Sequence, residues 1–156
     1  MTFQIKALDP APFERLFSMD EDELRANKAI RMTADGAPGF PCRVSLEDAK
    51  IGETVVLVNY EHLEVASPYA SKHAVYVRKG AEQGAPAPGE TPPMLTSRFL
   101  SVRGFDAGDE IIDATLTEGG ELAATLEALF TKPSIAYAHI HFAARGCFAA
   151  RAERTP

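Results

Sequence analysis

Residues 136–148 read AYAHIHFAARGCF. Side chains of a strand alternate between two faces, so Ala136, Ala138, Ile140 and Phe142 fall on one side and Tyr137, His139 and His141 on the other. The first side is small and apolar, suited to lie beneath a helix; the second is aromatic and carries two imidazoles. The covering helix is close by in the chain. In GELAATLEALFTKP (120–133), Leu122, Leu126, Leu129 and Phe130 recur at i, i+4, i+7 and i+8, Lys132 sits in the last turn, and Pro133 stops the run. A closing strand follows at 147–153.

Working outward, SRFLSVRGF (97–105) and DEIIDATL (109–116) form neighbouring strands joined at Asp106-Ala107-Gly108, a hairpin signal. TVVLVNY (54–60) is apolar on both faces, as a central strand covered on both sides would be. HAVYVRK (73–79) adds a strand with Val75 and Val77 opposite Tyr76 and Arg78, and TFQIKAL (2–8) alternates as an opening strand. Asp9-Pro10 reads as a helix start, and Asp20 with Glu23 as a capping box. ADGAPGFP (34–41) is turn chemistry, and GAEQGAPAPGETPP (80–93) is a flexible Gly/Pro-rich surface loop. No repeat and no change of composition divides the chain. The fold expected is α+β: residues 1–156 as a single domain, a mostly antiparallel sheet of six or seven strands, and the helix at about 120–132 packed on one face.

With 156 residues, 46% hydrophobic and 24% charged, the composition is that of a water-exposed globular domain. A net charge of −6 argues against nucleic acid, whose phosphates require a basic face. The start MTFQIKALDPAPF lacks the pattern of a signal peptide, and the longest aliphatic run, Val55–Val58, is too short for a membrane span. Cys42 and Cys147 have no CxxC spacing, and without a secretion signal two reduced thiols and a cytoplasmic location are expected, a single long-range disulfide being the alternative that spacing leaves open.

Three segments concentrate chemistry. On the HxH strand, His139 and His141 stand about 6.7 Å apart at Cα, twice the strand rise, close enough for both to reach one zinc ion if a third ligand arrives from elsewhere. His62, His73, Cys147 and Asp113 are the candidates. The competing arrangement, and the one expected, has Tyr137 and neighbouring carboxylates satisfying the imidazoles, with no cofactor. In GFPCRVSL (39–46), Arg43 beside Cys42 could activate the thiol, with His139 or His141 as base; a buried, inert cysteine is the commoner outcome. SPYASKH (67–73) is a polar turn that presents Tyr69 either to a polar ligand or as a roof over the core. No GxSxG elbow and no phosphate loop occurs.

Taken together, DGAPGFPCRVSLEDAKIGETVVLVNYEH from Asp35, SPYASKHAVYVRKG, SVRGFDAGDEIIDATL and AYAHIHFAARGCFAARAERT resemble the bacterial family known as domain of unknown function 1203, in order and spacing across nearly the whole chain. The resemblance implies a bacterial, single-domain, intracellular protein and no particular reaction. It marks Cys42, Arg43, Tyr69, His139, His141, Arg145 and Cys147 as motif positions without roles. The functional expectation is a small-molecule-binding protein or enzyme whose pocket lies near the PCR, SPY and HxH segments, with Arg43 and Arg145 suited to a small polar or anionic ligand. The alternative is a non-catalytic interaction or assembly module, for which a homodimer is the simplest form.

Overall fold

Alternation along the strands builds two separate apolar faces, and each recruits its own cover. In the computed structural model, which describes residues 3–156, the strands are β1 Phe3–Lys6, β2 Ala29–Thr33, β3 Pro41–Cys42, β4 Glu47–Asp48, β5 Thr54–Leu63, β6 Ser71–Arg78, β7 Phe99–Phe105, β8 Ile111–Glu118, β9 Tyr137–Phe142 and β10 Phe148–Arg154. Four short helices, α1 Ala11–Glu14, α2 Glu21–Ala26, α3 Pro93–Thr96 and α4 Leu122–Phe130, complete the regular structure. The α+β class, the mostly antiparallel pairing and the helix over one sheet face are as the sequence predicts. The sheet count differs. The described residues form ten strands in two five-stranded sheets, β1-β10-β9-β7-β8 and β2-β5-β6-β3-β4, rather than six or seven strands in one. Periodicity identifies strands but says nothing about which of them pair, and β2, β3 and β4 are too short or too polar to announce themselves.

In the first sheet, Ala138 and Ile140 of β9 join Leu100 and Val102 of β7 beneath Leu122, Leu126, Leu129 and Phe130 of α4, all buried. Burying each of those four helix side chains contributes about 1.5–3 kcal/mol. The helix begins two residues later than expected because Gly119–Glu121 form a 3-10 turn that feeds into it. In the second sheet, β5 lies between β2 and β6. Its two-faced apolar run divides as expected of an interior strand. Val56 and Val58 pack with Val75, Val77 and the α1–α2 segment (Phe13, Leu16, Leu24), while Val55 packs on the other side with Ala34 and Ala49. The capping box that opens α2 is formed in full: Asp20 accepts from the Glu23 amide and the Glu23 carboxylate accepts from the Asp20 amide. Of the opening strand expected over 2–8, Phe3 and Ile5 are buried as alternation requires, and Thr2 lies outside the described residues. The segment from 80 to 92 carries no helix or strand, but it is tied down: Gly84 N donates to Val44 O at 2.8 Å, Gly89 N to Phe3 O at 2.9 Å, and Gln4 Nε2 to Pro86 O at 3.0 Å.

Candidate functional site

The face of β9 turned away from α4 looks into the space between the sheets. Its neighbours are set by register. Arg103 of β7 and Arg151 of β10 stand opposite His139 on either side, and Ser101 and Phe148 stand opposite His141. A bulge between Phe148 and Ala150 in β10 keeps Phe148 on the histidine side while Ala150 returns to the α4 side, opposite Ile140. His139 and His141 are both only 1% exposed.

From the facing sheet come the chain's two remaining histidines. A second irregularity, between Tyr60 and Leu63 of β5, turns both His62 and Leu63 inward. Leu63 packs with Phe105 and Tyr137, and the His62 ring lies 5.6 Å from that of His139 and 5.2 Å from that of His141. His62 Nε2 is hydrogen-bonded to His73 Nδ1 at 2.6 Å, and Phe148 stacks on the His62 ring at 4.6 Å, nearly parallel. His141 Nδ1 donates to Gly146 O at 2.9 Å, which leaves Nε2 with a free lone pair. His62 Nδ1 and His139 Nδ1 are buried and have no hydrogen-bond partner. Tyr137 does not hydrogen-bond the imidazoles: its ring lies 5.5 Å from that of His139, but its hydroxyl donates to Asp109 at 2.7 Å. Among the described residues no carboxylate is bonded to any of the four histidines.

Burial is the main force on these groups, because removing an imidazolium from water disfavours the charged form. It holds His62 at about 4, His141 at about 3 and His139 at about 2, and lowers His73 as well. Arg103 lowers all four further, and neighbouring imidazoles do so for His62, His139 and His141. All four rings are therefore neutral at physiological pH and offer lone pairs. One ligand nitrogen each from His62, His139 and His141 lies within 4.8 Å of the other two. Of the candidate third ligands, His62 is brought to the pair and His73 stands behind it. Asp113 is paired with Lys132, and Cys147 lies elsewhere.

A separate cleft of about 800 Å³ opens on the other side of β5 and β6, lined by Leu57, Ala74 and Tyr76, by Arg43 and Arg98, and by Phe142, Arg145 and Cys147. Arg43 is buried in its wall. Its Nε donates to Phe148 O at 2.8 Å and its Nη1 to Pro41 O at 2.7 Å, and its guanidinium lies 5.0 Å from the centroid of the Phe142 ring. Burial lowers its pKa to about 10, still protonated at neutral pH. Arg98, on the same ring at 5.1 Å, is neutralised by Asp48 at 2.6 Å. No carboxylate among the described residues pairs with Arg43.

The motif positions thus divide. Arg43, Arg145 and Cys147 share the cleft, while His139 and His141 face the inter-sheet space. Cys42 is buried beside β6, its Sγ accepting from the Ser45 amide at 3.5 Å and the Arg78 amide at 3.4 Å. Tyr69 is 41% exposed, its ring edge-on to Phe105 at 6.4 Å, at the far end of β7. The inward turn of His62 and the cleft wall from β5 and β6 had no signal in the sequence beyond the bare presence of the residues.

The model of the family described as protein of unknown function (DUF1203) matches residues 39–154. The chain belongs to this family. The match spans the PCR, SPY and HxH segments and so every residue of the histidine cluster. No curated protein and no solved structure matches the chain. No helix among the described residues is long and apolar enough to cross a membrane.

Proposed function

We propose that the protein binds a small amphipathic anion in the cleft between the β5–β6 surface and the turn from Phe142 to Cys147. One observation carries the reading: Arg43 is a buried, protonated guanidinium in the cleft wall with carbonyl partners but no counter-charge. A buried cation without an anion is costly, and a ligand carboxylate or phosphate near it relieves that cost. Arg145, exposed at the same cleft and free of any ion pair among the described residues, is placed to steer and hold the same group. Leu57, Tyr76 and Phe142 supply an apolar wall for the remainder of the ligand.

The experiment is a thermal-shift panel of carboxylates and phosphate monoesters with apolar bodies, each beside its neutral amide or alcohol. Stabilisation by the anions alone, reduced in Arg145→Ala, supports the reading. Equal response to the neutral analogues, or no response to any member, refutes it. The assembly reading draws on a different observation: Leu116 is 61% and Phe99 48% exposed where β8 and β7 border this cleft, and β8 is an edge strand. A stable dimer by light scattering, indifferent to every anion and broken by Leu116→Glu, would favour it instead.

A further inference from the structure

The cleft leaves the histidines unused, and their arrangement is hard to account for by packing alone. All four histidines of the chain meet at one place, drawn from three strands of two sheets. A histidine that serves only as filler finds a partner for its nitrogens, because a buried polar atom left alone costs about 1–3 kcal/mol. Here two buried nitrogens, His62 Nδ1 and His139 Nδ1, have none.

We propose that His62, His139 and His141 bind a divalent transition-metal ion of the zinc class between the two sheets. Three nitrogens 4.8 Å apart at most place the centre of their triangle about 2.8 Å from each. Zinc–imidazole bonds are about 2.0–2.1 Å, so each ring closes in by less than about 1 Å. The hydrogen bonds around the site already do what metal centres require of them. Gly146 O accepts from His141 Nδ1 and directs its Nε2 lone pair away from that bond. His73, bonded to His62 Nε2, leaves His62 Nδ1 as the nitrogen without a partner. Phe148, stacked on His62 and edge-on to His139 and His141, holds the rings in place and keeps the walls apolar.

The donor set selects the metal. Three neutral nitrogens and no carboxylate suit zinc, cobalt, nickel or copper and do not suit magnesium or calcium, which demand oxygen. Three protein ligands leave a fourth position for water or an exogenous ligand. Arg103, across from His139 on the same face, makes that position favourable for an anion, since it adds positive charge with no carboxylate partner among the described residues.

The test uses the full chain purified without a histidine tag, stripped with a chelator, and titrated with zinc and with cobalt(II). One equivalent of zinc per chain, a rise in Tm on loading, and a tetrahedral cobalt absorption spectrum are expected. His62→Phe, which keeps a ring against Phe148, abolishes all three while retaining the circular dichroism of the fold. His73→Asn retains the stoichiometry but weakens binding by roughly 10–100-fold. A folded wild-type chain that takes up far less than one equivalent of zinc and of cobalt overturns the proposal, as does binding that survives His62→Phe. Neither result bears on the cleft, whose residues are different.

Discussion

Arg43 Nε donates to the carbonyl oxygen of Phe148 at 2.8 Å, across 105 residues of chain. With its second bond, to Pro41 O at 2.7 Å, this guanidinium ties the start of β3 in one sheet to the start of β10 in the other. It thereby sets where the Phe142–Cys147 turn sits relative to β5 and β6. Arg43→Met keeps the buried length of the side chain and removes both donors, orphaning two carbonyls at about 1–3 kcal/mol each. A loss of about 2–4 kcal/mol in urea unfolding is expected, and a loss below about 1 kcal/mol would show that the two bonds do not hold the sheets together.

The two thiols should separate cleanly by accessibility. Cys42 is buried and accepts two amide hydrogen bonds, whereas Cys147 lines the open cleft. A thiol reagent added to the native protein should therefore label Cys147 alone, and Cys42 only at the rate of unfolding. Mass spectrometry of a time course decides it; early labelling of Cys42 would contradict its placement.

Gly119 is required by a close approach of backbone. A Cβ there would lie 2.4 Å from Leu95 O and 2.5 Å from Thr96 O, backbone atoms at the end of α3 that cannot swing aside. Gly119→Ala should cost about 1–3 kcal/mol or more, as overpacking does, and should disturb the entry to α4. Gly120→Ala, which meets nothing within 4 Å, is the control. Equal Tm values for the two variants would disprove the clash.

The metal-free protein should lose stability on mild acidification. His139 is held at about 2 by burial first and then by His62, His141, Arg151 and Arg103; His141 is held at about 3 by burial, opposed next by its bond to Gly146, with Arg103, His62 and His73 adding to the lowering. In the unfolded chain both titrate near about 6.5. Between these values the unfolded state binds protons that the folded state does not, so stability is complete above about pH 6.5 and falls as the pH drops. The limit is about 1.4 kcal/mol per pH unit for each of the two. Urea midpoints measured with chelator at pH 7.5, 6 and 5 should decline in that order. A midpoint constant over this range would mean that the imidazoles are hydrated or partnered in solution.

Much of the scaffold was legible locally. The period of two in Tyr137–Phe142 and the spacing of Leu122, Leu126, Leu129 and Phe130 follow from backbone geometry, which fixes which side chains share a face whatever lies opposite. The capping box of Asp20 and Glu23 likewise closes within one turn. Membership of the family was legible too, because order and spacing of segments are properties of the chain. What the sequence could not supply was the meeting of distant surfaces. HxH spacing placed His139 and His141 on one face, but the cluster needed His62 turned inward by an irregularity between Tyr60 and Leu63, in a strand whose pattern predicts only alternation. The grouping of motif positions had the same limit. Cys42 and Arg43 are adjacent in the chain, yet successive residues face opposite ways, so one is sealed against β6 and the other stands in the cleft wall. Local periodicity determined the faces of this protein; only the stacking of two sheets, set by burial and by a few long-range bonds such as that of Arg43, decided which faces meet.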